Sequence, residues 1–134
     1  LFDHLTAVAT QDVDATLDEV GVDEFVGLVL PGGVANPDSL RTDAGAVAWV
    51  AEFVDSGKPV AAICHAAWTL VEADRVRGRR LTSWPSLATD IRNAGGEWVD
   101  EQVVVDANLI TSRRPDDLPA FSCALIGALK GEHA

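Results

Sequence analysis

Two short apolar runs, separated by one helical pattern, constrain the fold of this 134-residue chain most strongly. The first run is VGLVL at residues 26–30, and the second is VAAI at residues 60–63. Uninterrupted runs of this length are typical of strands that are buried on both faces of a parallel sheet. Between them, apolar residues from 47 to 54 follow the i, i+3, i+4, i+7 spacing of an amphipathic helix. The pattern therefore predicts a right-handed βαβ unit with two buried, parallel strands.

The rest of the sequence continues this alternation. Strands are predicted over residues 5–10, 79–83, 103–105 and 109–111, the last two joined by a hairpin turn at residues 106–108. Helices are predicted over residues 13–20, 66–73 and 87–94, and from Pro115 to the C-terminal region, with a core-facing stripe that includes Leu118, Phe121 and Leu129. The sequence therefore predicts one domain over residues 1–134, with an α/β fold: a doubly wound, mostly parallel sheet between helices.

Composition excludes several classes of protein. The formal net charge is −11 and only two residues are lysine, which argues against binding to a nucleic-acid backbone. No apolar run approaches the roughly 20 residues of a membrane helix, and the first residues lack the pattern of a signal peptide. Two cysteines make no disulfide framework, and no zinc spacing or phosphate-binding loop is present. We expect a soluble, cytoplasmic protein without a metal or cofactor.

Two loops follow the predicted buried strands directly. Pro31-Gly32-Gly33 comes after the first strand, and Cys64-His65 comes after the second. In open parallel sheets, ligands bind beyond the carboxyl ends of the strands, and consecutive parallel strands are usually neighbours. We therefore expect both loops to open on one crevice.

A cysteine on a sharp strand-to-helix turn has the geometry of a nucleophile elbow. The N-terminus of the following helix favours the thiolate form at Cys64. The backbone N–H groups of His65 and of the glycine turn, at Gly32 or Gly33, are candidate oxyanion donors, and the His65 side chain is a candidate base or acid. The alternative is that Cys64 is a small buried residue without a chemical role.

Other residues have simpler interpretations. Cys123 falls near the apolar stripe of the last predicted helix, so we expect it to pack in the core. Trp68 and Trp84 are candidates for the wall of the crevice and for substrate binding. The arginines between residues 75 and 80 indicate a solvated loop or, alternatively, an anion-binding rim.

Several longer motifs resemble the PfpI intracellular protease family. They are AICH at residues 62–65, GRRLTSWPS at 78–86, NAGGEWVDE at 93–101, LITSR at 109–113 and PDDLPAF at 115–121. Together they extend through nearly the whole chain. The family belongs to the class I glutamine amidotransferase-like superfamily, which also contains the parkinsonism-associated deglycase.

The resemblance implies a flavodoxin-like sandwich with a reactive cysteine at Cys64 followed by His65. It also implies that an acid after the glycine loop, here Asp38, reaches the cysteine–histidine pair of a neighbouring subunit, so the protein is expected to be a dimer or larger homo-oligomer. Members are peptidases, or deglycases that act on glyoxal and methylglyoxal adducts, and are associated with stress.

The chain departs from the family pattern in two ways. Ala66-Ala67 stands where the family has Gly-Pro. The family's first strand-helix-strand segment, which carries a glutamate that bonds the sulfur, is not matched, so we expect the chain to lack that portion.

Two further functions stay open from the sequence. One is a non-catalytic, chaperone-like or redox-sensing stress protein that uses Cys64. The other is a truncated product without activity. A glutaminase is excluded because only His133 lies downstream of the cysteine–histidine pair.

Overall fold

The computed structural model describes residues 2–3, 6–7 and 9–131. Its strands are β1 (Phe2–Asp3), β2 (Thr6–Ala7), β3 (Leu28–Leu30), β4 (Val60–Ile63), β5 (Arg80–Leu81), β6 (Glu97–Trp98), β7 (Val104–Asp106) and β8 (Leu109–Ser112). Its helices are α1 (Ala35–Leu40), α2 (Ala44–Asp55), α3 (Ala67–Glu72), α4 (Ala88–Asn93) and α5 (Leu118–Leu129). Short 3₁₀ turns precede α3, α4 and α5.

The central sheet has the order β3-β4-β8-β7. The first three strands are parallel, and β7 pairs with β8 in an antiparallel hairpin. Ala107 turns this hairpin with a φ of 51°, as the sequence predicted for residues 106–108. Two smaller pairs accompany the sheet: β5 is parallel to β6, and β1 is antiparallel to β2. The parallel pairing of β3 and β4, with α2 between them in the chain, confirms the strand-helix-strand order of the predicted βαβ unit.

Local sequence signals explain where α2 begins and ends. The Asp43 side chain accepts a hydrogen bond from the Ala46 N–H at 3.1 Å, which satisfies one of the free donors of the first turn. Gly57 follows the helix with a φ of 79°, a conformation that glycine adopts at no steric cost. Between these points, Val50, Phe53 and Val54 face the core.

Two cores lie on opposite faces of the central sheet, because side chains alternate along each strand. Val60, Ala62 and Leu109 pack with α2, α3 and α4 on one face. Ala61, Ile63 and Ile110 pack against Phe121 of α5 on the other face. The protein is therefore an α/β sandwich with a mostly parallel sheet between helices, as predicted.

The prediction that residues 26–30 are buried on both faces is wrong. Only Leu28–Leu30 is a strand; Val29 is 48% exposed and Val26 is 77% exposed. Within the described ranges, β3 has a hydrogen-bonded neighbour on one side only, so it is an edge strand of its sheet. An apolar run cannot by itself distinguish such a strand from a central one.

The helix predicted over residues 13–20 is also wrong, because the structure has only a 3₁₀ turn at Leu17–Glu19. Val13 is 76% exposed, so no apolar face is buried to stabilise a helix here. The strand predicted over residues 5–10 is limited to Thr6–Ala7, and part of that range lies outside the described residues.

The C-terminal helix lies where it was predicted, but its exposed side was not foreseen. Phe121 is buried, whereas Leu118 and Leu129 are each 45% exposed. Cys123 is exposed, so the prediction that it packs in the core is wrong. Two residues along an α-helix turn the side chain by about 200°, which places Cys123 away from the sheet that Phe121 contacts.

Candidate active site

Cys64 lies at the sharp turn between β4 and α3. Its φ is 63°, in the left-handed region that residues with a side chain rarely adopt. For such residues this conformation costs about 1–2 kcal/mol. A 3₁₀ turn over Cys64–Ala66 then leads directly into α3. The half-buried cysteine thus has the backbone geometry of the predicted elbow.

The glycine turn after β3 meets this elbow. A Cβ added at Gly32 would lie 2.8 Å from Cys64 Cβ and 3.6 Å from Cys64 Sγ. Only glycine allows so close an approach without displacing the cysteine. Gly33 follows with a φ of 81°. The structure therefore brings the two predicted loops together.

The His65 ring turns back toward the cysteine. Its Nδ1 lies 3.1 Å from Cys64 Sγ. Partial burial lowers the pKa of His65, because desolvation disfavours the imidazolium. A neutral ring with its proton on Nε2 presents Nδ1 as an acceptor for the thiol proton. This arrangement suits a general base.

Both candidate tryptophans contact this histidine. The Trp68 ring meets the His65 ring edge to face, with centroids 5.0 Å apart. The Trp84 ring stacks on it at 5.7 Å and 22°. The backbone N–H of Trp84 also donates to the Cys64 carbonyl oxygen at 3.1 Å, which fixes this segment next to the elbow. The two side chains thus form walls around His65 itself.

Asp38 lies in the first turn of α1 and is exposed. Within the described part of the chain, no hydrogen bond joins it to Cys64 or His65. Its contact with the site of a neighbouring subunit stays a prediction. The oxyanion role of the backbone N–H groups of Gly32, Gly33 and His65 stays one as well, although Gly32 and His65 do lie beside Cys64.

The four arginines of the basic loop are each paired with an acid. The pairs are Arg75 with Asp55 at 2.8 Å, Arg77 with Asp74 at 3.1 Å, Arg79 with Asp106 at 3.4 Å and Arg80 with Glu101 at 3.1 Å. Because these charges are already compensated, the structure favours a structural, solvated loop over an anion-binding rim.

One ion-pair network was not foreseen from the sequence. Arg113 donates to Asp117 through its backbone N–H and its guanidinium, at 2.9–3.0 Å, and to Asp100 at 2.8 Å. The hydrogen bonds from Arg113 lower the pKa of Asp117, which is 3% exposed. The network holds the loop after Ser112, and Ser112 pairs with Ile63, the residue before the elbow. The i, i+4 spacing of an arginine and an acid was its only sequence signal.

No group of three or more His, Cys, Asp or Glu side chains in the described ranges is arranged to hold a metal ion. Within those ranges, too, no helix has the length and apolarity needed to cross a bilayer.

An open groove of about 620 Å³ lies between α2 and α3 and is lined by residues that include Arg41 and Glu72. Cys64 is not among the residues that line it, so this groove is not the predicted crevice.

Comparison with curated proteins gives relatives of similar sequence. The chain is 50% identical over 115 residues to protein/nucleic acid deglycase 2 of Escherichia coli K12, a match that covers 85% of this chain and 66% of that protein. It is 46% identical over 118 residues to the deglycase PfpI of Pyrococcus furiosus, covering 88% and 70% respectively. The chain thus spans about two thirds of the length of these relatives.

Solved structures share the fold. Drosophila melanogaster DJ-1beta aligns with a TM-score of 0.80 and 32% identity, over 89% of this chain and 64% of that one. A two-domain protein of Anabaena variabilis, with DJ-1/ThiJ/PfpI-like and ferritin-like domains, aligns with a TM-score of 0.79 and 40% identity, over 87% and 34%. The model of the DJ-1/PfpI family matches residues 8–128. This chain therefore belongs to the DJ-1/PfpI family.

Proposed function

We propose that this chain carries the active site of a cysteine-dependent deglycase, which removes methylglyoxal and glyoxal adducts from amines and thiols. The observation that carries the proposal is the meeting of Cys64, the His65 ring and the glycine turn at one point of the sheet edge. Relatives named deglycases, at 46–50% identity, support the choice of substrate class.

In the proposed first step, the Cys64 sulfur attacks a carbonyl carbon of the adduct. A carbon–sulfur bond forms, and the carbonyl electron pair moves to the oxygen. The N–H groups of Gly33 and His65 stabilise this oxyanion, and Nδ1 of His65 accepts the thiol proton. The left-handed backbone at Cys64 supports this role because a sharp strand-to-helix turn is the geometry of a nucleophile elbow.

The overall reaction balances without an external oxidant. A methylglyoxal adduct of an amine takes up one water and yields the free amine and lactate. The aldehyde carbon of methylglyoxal is oxidised to the carboxylate carbon of lactate while the ketone carbon is reduced to the alcohol carbon, so no redox cofactor is needed.

Peptide hydrolysis is a second candidate. A putative cysteine protease of Bacillus subtilis is 39% identical over 118 residues. The same thiolate attack on an amide carbonyl would begin that reaction. Both activities use the same residues, so substrate turnover must separate them.

The test measures lactate release from the methylglyoxal adducts of N-acetyllysine and N-acetylcysteine, alongside cleavage of a fluorogenic peptide. We expect lactate release that Cys64→Ser abolishes. Cys123→Ser is the matched control, because Cys123 is an exposed cysteine far along the chain on α5 and should leave the rate unchanged.

Peptide cleavage without lactate release would replace the deglycase with a peptidase. No turnover of either substrate, with reversible oxidation of Cys64, would favour the redox-sensing alternative. A chaperone-like role would instead show as protection against aggregation that survives Cys64→Ala.

Asp38 enters the proposal as a group supplied to the site of a second subunit, in a cytoplasmic homo-oligomer. Its exposure on α1 leaves it available for such a contact. We expect Asp38→Asn to lower lactate release, and dilution of the wild-type protein to do the same. A monomer by light scattering with full activity would contradict this part.

A further inference from the structure

The side chain of Trp68 is contacted from three directions. Its ring meets the His65 ring at 5.0 Å. The guanidinium carbon of Arg41 lies 5.5 Å from the ring centroid, within the range of a cation–π interaction. The indole N–H donates to Asp90 Oδ2 of α4 at 3.3 Å. Trp68, a residue of α3, therefore connects His65 to the C-terminal end of α1 and to α4.

The sequence spacing explains why these groups meet. His65, Trp68 and Glu72 are separated by three and four residues, so they share one side of the helical segment that follows the elbow. Arg41 directly follows α1, and its Nε donates to Glu72 Oε1 at 3.3 Å. The guanidinium thus lies across both Trp68 and Glu72.

Core packing alone does not fix this tryptophan. Trp68 is only partly buried at the edge of the larger core, and Trp84, on the other side of His65, is 38% exposed. A rotation of Trp68 would remove one wall of the histidine ring. The His65 ring would then move Nδ1 away from Cys64 Sγ, which it now approaches to 3.1 Å.

We propose that Arg41 is a positioning residue: through its contact with Trp68 it holds the His65 ring against Cys64. This inference rests on the proposed function only in that His65 assists the cysteine; it names no substrate. The charged and titratable groups along this path are Arg41, Glu72, Asp90 and Cys64, and Trp84 adds none from the opposite side.

The test compares wild type with Arg41→Gln in the full chain, using two readouts. The first is the rate of iodoacetamide alkylation at Cys64, which we expect to fall about two- to fivefold. The second is the NMR titration of the His65 ring protons. We expect the pKa of His65 to rise toward its ordinary value, because a loosened ring is better hydrated.

Two variants sharpen the comparison. Arg41→Lys keeps a cation above the indole and should recover part of both effects, which a merely structural role would not predict. Arg92→Gln is the matched control: the guanidinium carbon of Arg92 lies 5.6 Å from the ring centroid of Trp98, whose indole N–H donates to Ser83 rather than to an acid. This variant should change neither readout.

Equal effects of Arg41→Gln and Arg92→Gln, or an unchanged His65 titration in Arg41→Gln, would overturn the inference. If Arg41→Gln does not fold, Glu72→Gln carries the test, since it removes the ion pair and keeps the cation; the same directions are expected with smaller size. Neither readout needs a substrate. If the wild type releases lactate but Arg41→Gln changes neither the alkylation rate nor the His65 titration, only the positioning role is contradicted. If Arg41→Gln changes both but the wild type releases no lactate, the positioning role is supported and the deglycase function is contradicted.

Discussion

Cys64 holds a backbone conformation that glycine adopts at lower cost than any other residue. We expect Cys64→Gly to be more stable than Cys64→Ala by about 1 kcal/mol, because both lack the sulfur and only alanine keeps the strain of a left-handed residue. Urea unfolding of the two variants measures the difference. It should have the opposite sign at Cys123, where alanine suits the α5 helix better than glycine by about 1 kcal/mol.

The same order at both cysteines, with alanine more stable, would contradict the strained elbow. In that case the left-handed φ of Cys64 would carry no cost that the rest of the fold must offset.

The lowered pKa of His65 makes a prediction about stability and pH. The unfolded chain binds a proton at this histidine more readily than the folded chain does. The contribution of neutral His65 to the free energy of unfolding is therefore present above about pH 6.5, the pKa of the unfolded chain. It is lost as the pH falls through the lower pKa of the folded chain. Urea unfolding between about pH 8 and pH 5 should show this loss in wild type but not in His65→Gln. Parallel curves for the two proteins would contradict it.

At this scale, the sequence predicts which residues meet but not how they are oriented. Cys64 and Gly32 follow consecutive parallel strands, so topology alone places them together. The φ of Cys64 and the wall that Trp68 forms around His65 depend on three-dimensional contacts with α1 and α4. No spacing in the sequence reports those contacts.

The edge position of strand β3 leaves its side chains more exposed than those of the neighbouring strand β4. Val29 is 48% exposed, whereas Val60, in the neighbouring strand, is fully buried. Threonine keeps the β-branched shape of valine and replaces a methyl group with a hydroxyl. Substitution of Val29 or Val60 by threonine therefore differs mainly in how deeply that hydroxyl is buried. We expect Val60→Thr to cost about 1–3 kcal/mol of unfolding free energy and Val29→Thr less than about 0.5 kcal/mol. Equal losses in urea unfolding would mean that β3 is covered on both faces.

The elements show where a local pattern is sufficient. The helix α2 was predicted from its apolar spacing, and the hairpin of β7 and β8 was predicted from the turn residues between the two strands. The exposure of β3 and of one side of α5 was missed, since apolar residues on a partly covered surface look the same as core residues in one sequence. A helix was wrongly predicted over residues 13–20, where the structure has only the turn at Leu17–Glu19. The reason is related: nothing in the sequence shows whether a core lies beneath this segment.

Across the whole molecule, the two cores have one sheet in common, and the elbow lies where that sheet ends. Cys64 itself packs against the smaller core, while His65 extends toward Trp68, which packs against the larger one. The Arg113 network fixes the neighbouring loop after β8. The fold thus positions the candidate site from both layers of the sandwich, in agreement with the membership of the DJ-1/PfpI family.

If the fold activates Cys64 as a nucleophile, the activation is visible in the rate at which its sulfur is alkylated. Iodoacetamide labelling of the two cysteines is followed by mass spectrometry from about pH 5 to about pH 9, with Cys123 as the internal reference. We expect Cys64 to label about tenfold faster than Cys123 near pH 6.5, and we expect this advantage to come from the site around Cys64. The advantage should also depend on His65 and be reduced in His65→Gln. Identical pH profiles for Cys64 and Cys123 would contradict the activation of Cys64 by the fold.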